Sequence, residues 1–249
     1  MSAFDLDGRV VVVTGGGRGI GRAIAQGMVA HGAQVVICGR TEATLAATAA
    51  EIGAVMTQVT DVADEGSVMA LRDAVLARFG RIDGLVCNAG VNPIYKGIEA
   101  TSVDEWRTVL DTNLTGSFLC CKHLGGAMAA AGNGSVVCIT SVAGHVGLRK
   151  SVPYCASKGG TELLVQALAL DWAGKGVRVN AIAPGYFATD LTAGMMANPA
   201  MSARLLQATP MGRFGGDGDI VGAAVFLVGP ASGYVTGQSL RVDGGYLAS

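Results

Sequence analysis

Short apolar segments of strand length recur along the chain, and longer segments with helical periodicity separate them. Several apolar segments are nearly continuous runs of Val, Ile and Ala, which is typical of strands that are buried on both faces. Strands that alternate with helices form βαβ units, so the pattern predicts an α/β fold with a parallel sheet covered by helices on both faces. The predicted strands are Val10–Thr14, Gln34–Gly39 and residues 54–59, 82–88, 135–140, 177–183 and 238–243.

The segments with apolar residues at helical spacing cover residues 20–31, 64–79, 104–131 and 154–174. Gly116, Gly125 and Gly126 leave open whether the third segment is one straight helix. No linker, repeat or low-complexity tract divides the chain. We therefore expect a single Rossmann-type, doubly wound α/β domain over residues 1–249, with a sheet of about seven strands.

Residues 190–218 interrupt the alternation of strands and helices. They contain four methionines, and residues 210–216 read Pro-Met-Gly-Arg-Phe-Gly-Gly. Methionine side chains repack around varied apolar surfaces, as a cover over a binding site must do. An ordinary crossover connection is the alternative, and we predict a substrate-covering insertion.

The charge pattern excludes two classes of partner. Only 15% of the residues are charged, the formal net charge is −1, and no basic stripe is present, which argues against nucleic-acid binding. No apolar run approaches the roughly 20 residues that span a bilayer. The first nine residues include Asp5 and Asp7 and no apolar stretch, unlike a secretory signal. These features predict a cytoplasmic protein that binds no membrane.

The cysteines do not have the spacing of a metal site. The chain has six, none of them in a C-x-x-C pair, and no Cys/His cluster has zinc spacing, so no metal is predicted. Cys38, Cys87 and Cys138 fall in apolar strand segments. We expect them to be small buried side chains in a reducing compartment.

A glycine-rich turn joins the first predicted strand to the first predicted helix. It reads Thr14-Gly-Gly-Gly-Arg-Gly-Ile-Gly21, with the spacing Gly15-x3-Gly19-x-Gly21 instead of the general G-x-G-x-x-G fingerprint. Glycines let the backbone approach a pyrophosphate closely, and a helix N-terminus supplies N–H donors and a positive dipole end. The position of the turn predicts a dinucleotide site.

The second strand indicates which dinucleotide binds. An NAD site has an acidic residue about 20 residues after the turn, to hold the ribose 2′-OH. Here Gly39 stands at that place, Arg40 follows, and Arg18 lies in the glycine turn. Two guanidinium groups clamp a 2′-phosphate when no carboxylate repels it. The prediction is NADP(H), with NAD(H) as the less favoured cofactor.

Tyr154 and Lys158 are the first candidate catalytic pair. Residues four apart share a helix face, so the phenol and the ammonium group converge in the predicted helix. A nearby ammonium group favours the phenolate and is expected to lower the pKa of Tyr154. Tyr154 is then tuned to give a proton to a carbonyl or to accept one from an alcohol near neutral pH.

Two further polar residues complete the candidate site. Ser141 stands at the end of a predicted strand, thirteen residues before Tyr154, where its hydroxyl can bond a substrate oxygen. No G-x-S-x-G elbow surrounds it, which disfavours a serine hydrolase. Asn113 falls within a predicted helix, where Asn is a poor helix former and often has a tertiary role, such as holding a water.

Together these motifs resemble the short-chain dehydrogenase/reductase family, over residues 6–245. The family's acid on the adenine side matches Asp61, its N-A-G turn matches residues 88–90, and its proline-glycine turn matches residues 184–185. Cys87 departs from the Asn that precedes N-A-G in many relatives. The resemblance implies catalysis by Asn113, Ser141, Tyr154 and Lys158. It implies cofactor binding by Gly15, Arg18, Gly19, Ile20, Gly21, Arg40, Asp61, Val62, Asn88, Ala89, Gly90, Tyr154, Lys158, Pro184, Gly185, Phe187 and Thr189.

The resemblance also implies a mechanism and an assembly. Hydride transfer from the nicotinamide would reduce a carbonyl, Tyr154 would supply the proton, Ser141 would orient the oxygen, and Lys158 would bind the ribose. Asn113 would help to relay protons to solvent. The family is typically tetrameric, pairing helices near residues 104–131 and 154–174, so a homo-oligomer is expected.

The substrate subclass remains open. The segments 184–190 and 210–214 resemble gluconate and polyol dehydrogenases, and they are close to 3-oxoacyl-carrier-protein reductases as well. Asn92, His145 and Arg149 are candidates for contacts with a polar small-molecule substrate. An NAD-dependent alcohol or polyol dehydrogenase and a non-catalytic dinucleotide sensor are the alternative functions. An enoyl reductase is disfavoured because related enoyl reductases separate Tyr and Lys by more residues.

Overall fold

A parallel seven-stranded sheet lies at the centre of the computed structural model, which describes residues 2–190 and 192–248. The strand order is β3-β2-β1-β4-β5-β6-β7, and every pair of neighbours is parallel. The predicted sheet is confirmed, with β3 and β4 starting two residues later than expected. The strands are β1 (Val10–Thr14), β2 (Gln34–Gly39), β3 (Met56–Val59), β4 (Gly84–Cys87), β5 (Gly134–Ile139), β6 (Val177–Pro184) and β7 (Ser239–Val242).

Helices connect the strands and cover both faces of the sheet. They are α1 (Gly19–Ala30), α2 (Glu42–Ile52), α3 (Glu65–Phe79), α4 (Val103–Leu110), α5 (Gly116–Cys120), α6 (Gly126–Ala131), α7 (Val152–Trp172), α8 (Ala193–Met196), α9 (Pro199–Gln207) and α10 (Asp217–Val228). The sequence analysis did not predict α2 or α10. The first is rich in Ala and Thr, and the second is apolar around most of its circumference, so neither shows a clear helical stripe.

Burial on both faces explains why the strands read as continuous apolar runs. In β1, Val10 and Val12 pack into the core layer under α3 and α7, whereas Val11 and Val13 pack into the layer under α1 and α10. Successive side chains of a strand point to opposite faces. A sheet with helices on both sides therefore requires an apolar residue at every position.

The segment that joins α4 to α6 settles the open question about residues 104–131. Its backbone remains right-handed helical throughout, with wider π-type turns at Asp111–Thr115 and Cys121–Gly125. Two of its glycines are packing sites: a Cβ on Gly116 would lie 2.7 Å from Val62 Cγ2, and one on Gly125 would lie 2.7 Å from Trp172 Cη2. The helix is continuous but irregular.

The predicted insertion is a helical excursion between β6 and α10. It contains α8 and α9, and Leu191 within it lies outside the described residues. Its boundary needs a correction, because α10 already begins at Asp217 and therefore includes the last two residues of the predicted range 190–218.

The order of the strands places the site. Chain connections run in opposite directions across the sheet from the junction of β1 and β4. In open α/β sheets, ligands bind in the crevice at the carboxyl ends of the strands beside such a reversal. Thr14, Asn88, Ser141 and Gly185 are at or just beyond the carboxyl ends of β1, β4, β5 and β6, respectively.

Candidate active site

The glycine turn after β1 provides a bare backbone surface. Gly15 and Gly19 have φ angles of +63° and +51°, which side-chain-bearing residues rarely adopt. Gly19, Ile20 and Gly21 form the first turn of α1, with Arg18 as an extended N-cap whose side chain makes no capping hydrogen bond. The first turn has no acidic residue. Its free N–H groups and the helix dipole favour an anion such as a pyrophosphate.

The turn also excludes side chains sterically. A Cβ on Gly21 would lie 2.3 Å from Gly15 O and 2.4 Å from Asn88 Nδ2, and a Cβ on Gly15 would lie 3.0 Å from Ala89 Cα. The backbones of the glycine turn and the N-A-G turn are therefore in direct contact. This cradle fits a dinucleotide, because only bare backbone can approach the phosphates so closely.

Thr14 and Asn88 bind the two turns together. Thr14 Oγ1 accepts hydrogen bonds from the backbone N–H groups of Asn88 (2.9 Å) and Ala89 (3.0 Å). Asn88 Nδ2 donates in return to Thr14 O (2.9 Å) and Gly15 O (3.2 Å). Sequence reasoning did not assign Thr14 this positioning role. The available signal was a hydroxyl residue at the last position of a buried strand, just before the glycines.

The predicted adenosine side is open. Arg18 Nη1 and Asp190 Oδ2 are 3.6 Å apart, and both side chains are about three-quarters exposed, so the ion pair contributes little. Arg40 is exposed at the end of β2. A Cβ on Gly39 would meet only Leu45 Cδ2, at 3.7 Å. The backbone around Gly39 therefore has room for a side chain, and crowding does not account for the lack of an acidic residue there.

Asp61 and Val62 follow β3 in a well-defined turn. Asp61 accepts a hydrogen bond from the Ala63 N–H (3.0 Å), and the Asp61 N–H donates to Ser67 Oγ (3.1 Å). Val62 is buried against Gly116. The turn is thus anchored to both α3 and α5, with the Asp61 carboxylate at the surface.

Ser141 and Tyr154 form the centre of the candidate catalytic group. Ser141 caps the short turn Val142–Gly144, since its Oγ accepts from the Ala143 N–H (3.1 Å). The Ser141 side chain lies close enough to the Tyr154 phenol to favour its phenolate. Tyr154 is the third residue of α7, two residues deeper in that helix than the sequence predicted.

Lys158 lies one helical turn beyond Tyr154, and only 5% of it is exposed. Its Nζ donates to Ile139 O (2.8 Å) and lies 5.7 Å from the centre of the Tyr154 ring. Burial lowers the pKa of Lys158 to about 8. Gly90 borders the ammonium group, because a Cβ there would be 3.6 Å from Nζ.

One expectation about this pair was wrong for the protein without cofactor. The sequence analysis predicted that Lys158 lowers the pKa of Tyr154, whereas burial raises it, and this effect exceeds the opposing hydrogen bond from Ser141. The i,i+4 spacing placed both side chains on one helix face but could not show where the ammonium group donates. It donates to Ile139 O, not to the phenol.

Asn113 is a buried brace at the first π-type turn. Its Oδ1 accepts from the Val91 N–H (2.8 Å), and its Nδ2 donates to Val91 O (2.9 Å) and Ser157 Oγ (3.1 Å). Ser157 Oγ donates in turn to Tyr154 O (2.8 Å). Asn113 therefore connects the segment after N-A-G to the helix that carries Tyr154. Sequence reasoning did not single out Ser157.

The segment after β6 completes the rim of the cradle. The Gly185 N–H donates to Val242 O (2.9 Å), and a Cβ on Gly185 would lie 2.7 Å from Asp243 Cα, so Pro184-Gly185 packs tightly on the C-terminal segment. Phe187 is buried and forms a bridge with Gly215. Thr189 Cγ2 would lie 3.6 Å from a Cβ on Gly19, which places Thr189 beside the glycine turn.

Residues of the insertion border a cavity of about 370 Å³. The Met211 N–H donates to Gly244 O (3.0 Å), and Arg213 binds Asp219 with two hydrogen bonds of 2.6 and 2.8 Å. The insertion is thus attached to the rest of the chain at its return. The cavity is lined by Tyr186, Phe187, Met211, Arg213, Arg241 and Asp243, among others.

His145 has a protein partner that the sequence did not reveal. Its Nε2 lies 3.1 Å from Glu162 Oε1 and 3.3 Å from Ser239 Oγ, and Ser239 donates to Glu162 (3.0 Å). These bonds connect the turn after Ser141 to α7 and β7. Arg149, the other candidate for substrate contact in this region, is exposed.

The cysteines are buried as predicted, with Cys155 partly so. The fold nevertheless brings Sγ atoms of Cys87, Cys121 and Cys138 within 4.8 Å of one another, a cluster that their sequence spacing did not predict. They come from β4, the second π-type turn and β5. Among the described residues, no helix is both long and apolar enough to cross a membrane.

The geometry can now be compared with known proteins. A family model described as "Enoyl-(Acyl carrier protein) reductase" matches residues 15–247. The galactitol 2-dehydrogenase (L-tagatose-forming) of Cereibacter sphaeroides is 41% identical, over 98% of this chain and 97% of its own length. The chain belongs to the short-chain dehydrogenase/reductase family. Its relatives of this kind are named dehydrogenases, so the chain is an oxidoreductase that acts on CH–OH groups.

Two further short-chain dehydrogenases illustrate the range of similarity. The D-threitol dehydrogenase of Mycolicibacterium smegmatis is 41% identical, over 98% of this chain and 94% of its own. The crystal structure of a gluconate 5-dehydrogenase from Burkholderia cenocepacia in complex with NADP and tartrate has a TM-score of 0.95. It is 38% identical, and the similarity covers 99% of this chain and 98% of that one.

Proposed function

We propose that this protein is an NADP(H)-dependent oxidoreductase that interconverts a secondary alcohol and a carbonyl, with Tyr154 as the general acid and base. The observation that carries the proposal is the close approach of Ser141 to Tyr154, one helical turn from the buried Lys158. This group and the glycine cradle both lie at the carboxyl ends of the strands. A reacting carbon between them can contact both the acid/base and a bound dinucleotide.

The residues of this chain have separable roles in that reaction. When bound, the nicotinamide supplies or accepts the hydride. Ser141 holds the substrate oxygen, and Tyr154 gives it a proton during reduction or removes one during oxidation. Lys158, buried one helical turn from Tyr154, holds ribose hydroxyls of the cofactor. Asn113 keeps the N-A-G segment and α7 in register, and we propose that it also helps to relay protons to solvent.

The preference for NADP(H) over NAD(H) rests on Arg18, Arg40 and Gly39. Both arginines are exposed near the start of α1 and the end of β2, where a 2′-phosphate would lie, and Gly39 offers no carboxylate against it. A 2′-phosphate gains charge-assisted hydrogen bonds from guanidinium groups. The gluconate 5-dehydrogenase with bound NADP supports the same choice. Asp61 and Val62 would border the adenine.

Two relatives favour a polyhydroxylated substrate over an acyl thioester. They are named for galactitol and D-threitol, both of which are polyols. We propose that the insertion at residues 190–218 covers such a small molecule. Thr189 and Phe187 at the start of this segment would contact the nicotinamide side of the cofactor, next to Pro184 and Gly185.

A homotetramer is proposed on the basis of exposed apolar side chains. Leu163 and Leu170 on α7 are 67% and 84% exposed, and Phe118 on α5 and Leu240 on β7 are also exposed. Core packing therefore does not explain the apolar face of α7, and contact with another copy does. Sedimentation velocity should show a tetramer, and Leu170→Glu should lower its mass; a monomeric wild type would contradict the proposal. The expected location is the cytoplasm.

Cofactor titration followed by a substrate panel tests the function. Fluorescence binding of NADPH and NADH should favour NADPH, and turnover should follow on polyols or their ketones. Preferred NADH with turnover would indicate the NAD-dependent dehydrogenase. Tight NADPH binding without turnover on polyols, ketones or 3-oxoacyl thioesters would contradict catalysis and support a dinucleotide sensor. Turnover confined to 3-oxoacyl thioesters would replace the polyol class with an acyl reductase.

A further inference from the structure

Asn92, just after the N-A-G turn, has a buried polar atom without a protein partner. Across residues 2–190 and 192–248, Asn92 Oδ1 stands alone as a buried side-chain oxygen or nitrogen that forms no hydrogen bond. Buried polar atoms are nearly always paired, because leaving one unpaired sacrifices its hydration without compensation. An exception of this kind points to a group from outside the protein.

The residues just before Asn92 are held against the catalytic group. The residue before it, Val91, is held at both its N–H and its carbonyl by the Asn113 amide. Gly90, one residue earlier, borders Lys158 Nζ. Asn92 is therefore two residues beyond the point at which this segment borders Lys158.

A second loop closes against the segment that contains Asn92. The Lys96 N–H donates to Lys150 O (3.1 Å), and Lys150 Nζ lies 5.6 Å from the centre of the Tyr95 ring. Lys150 has a φ angle of +61°, the one positive φ among the described residues that are not glycine. Strained residues of this kind cluster at ligand-binding sites. The hydrogen bond from Lys96 to Lys150 thus joins the loops 91–97 and 147–151, and we call the joined loops the wall.

The chemistry of the amide limits what the wall binds. An amide oxygen accepts a hydrogen bond, so it needs an O–H or N–H donor. With the amide rotated by half a turn, its NH₂ group would lie at this position and would need an acceptor. A hydroxyl group pairs with the amide in either orientation, because it both donates and accepts. A ketone, ester or thioester oxygen cannot donate. A hydroxyl of the substrate, other than the reacting one, matches the site.

We propose that Asn92 is a specificity-determining residue that binds a second hydroxyl group of the substrate, near the reacting carbon. The proposal rests on the proposed function and narrows its substrate class to vicinal diols and their hydroxyketones. Asn92 then distinguishes a polyol from a simple secondary alcohol or a 3-oxoacyl chain. Its unpaired atom becomes satisfied only when a hydroxylated substrate enters.

Paired substrates that differ by one hydroxyl test this role. The probes are 2-hydroxycyclohexanone against cyclohexanone, and 3-hydroxybutan-2-one against butan-2-one, each reduced with NADPH. The wild type should prefer the hydroxyketone of each pair. Asn92→Leu, of similar size but apolar, should lower kcat/KM for the hydroxyketones about 10- to 100-fold and leave that for the simple ketones nearly unchanged. Asn92→Asp, which keeps an acceptor, should retain part of the preference.

Asn133→Leu is the matched control, because Asn133 is exposed just before β5, at the opposite end of the strands from the site. It should change both members of a pair equally. Equal losses for both members in Asn92→Leu, or weaker NADPH binding by that variant, would overturn the role of Asn92. So would a wild type that does not prefer the hydroxyketones. Absence of turnover across the whole panel would instead contradict the proposed function itself.

Discussion

The cofactor side and the substrate side of the site are built differently. The proposed cofactor side comprises the turns 14–21 and 88–90, and the proposed substrate side comprises residues 91–97, 147–151, 186–190 and 192–216. On the cofactor side, Thr14 and Asn88 form hydrogen bonds with each other and with the backbone of the two turns. The substrate side contains the unpaired Asn92 oxygen and the strained Lys150.

This difference indicates where ligand binding completes the structure. The hydrogen bonds of Thr14 and Asn88 hold the two turns in place before the dinucleotide binds, which limits the entropy lost on binding. A wall with an unpaired buried acceptor reaches its full set of hydrogen bonds only with substrate. We therefore propose that the first region binds the cofactor and that the second selects the substrate.

Tyr154→Phe is expected to have the largest effect, because Tyr154 lies where the two regions meet. Removal of the hydroxyl eliminates the proton transfer, so turnover should fall about 10²- to 10⁴-fold. NADPH affinity should remain close to that of the wild type, since the ring stays in place. Steady-state rates and fluorescence titration measure the two quantities. A near-normal rate would sink the acid/base assignment.

Gly21→Ala should damage the cofactor side as a whole. The new Cβ would lie 2.3 Å from Gly15 O and 2.4 Å from Asn88 Nδ2, so the turn must open. We expect a loss of about 1–3 kcal/mol in the free energy of unfolding and at least tenfold weaker binding of both NADPH and NADH.

The matched control is Gly222→Ala in α10, where a Cβ meets no atom within 4 Å. Alanine favours a helix over glycine, so this variant should be as stable as the wild type or more so. Urea unfolding and cofactor titration of both variants make the comparison. Similar effects at the two glycines would show that the close approach of the turns is unimportant.

Arg40→Ala should separate the two cofactors. Loss of one guanidinium group should weaken NADPH binding about tenfold and leave NADH binding almost unchanged, because NADH has no 2′-phosphate. Gly39→Asp should shift the preference further toward NADH, and the space beside Leu45 admits the new side chain. Equal losses for the two cofactors in Arg40→Ala would count against a 2′-phosphate clamp.

The smallest predicted effect concerns the stability of the protein without cofactor. Burial lowers the pKa of Lys158 to about 8 from 10.5, so the folded chain binds fewer protons than the unfolded chain between these values. The free energy of unfolding should therefore rise with pH across this interval, and the penalty for burying the ammonium group is fully present below about pH 8.

Lys158→Met removes that titration. Relative to this variant, the wild type should gain about 2 kcal/mol of stability between about pH 7 and about pH 9.5. Urea unfolding of both proteins at each pH gives the difference, in which titration of the other groups largely cancels. Parallel curves for the two proteins would indicate that the buried ammonium group does not carry this dependence.

Much of the cofactor side was predictable because its signals are local. Gly15, Gly19 and Gly21 report a backbone requirement that depends only on neighbours in the chain. Gly39 ends a recognisable strand, and Arg40 directly follows it. The approach of Ser141 to Tyr154 was anticipated from their positions in the chain. The hydrogen bond from Asn113 to Ser157 was not, because it joins residues 44 positions apart.

The sequence by itself determined the parallel sheet and the glycine turn, since apolar period and glycine spacing act through local sterics and burial. The catalytic set Asn113, Ser141, Tyr154 and Lys158 is a prediction that the resemblance to the family implies. Tertiary structure alone decided that Lys158 donates to Ile139 O and that Thr14 Oγ1 accepts from the N-A-G turn. It also decided that Asn92 Oδ1 is buried without a partner. These outcomes depend on which distant groups meet in a low-dielectric interior. No spacing along the chain encodes the desolvation that raises the pKa of Tyr154 and lowers that of Lys158.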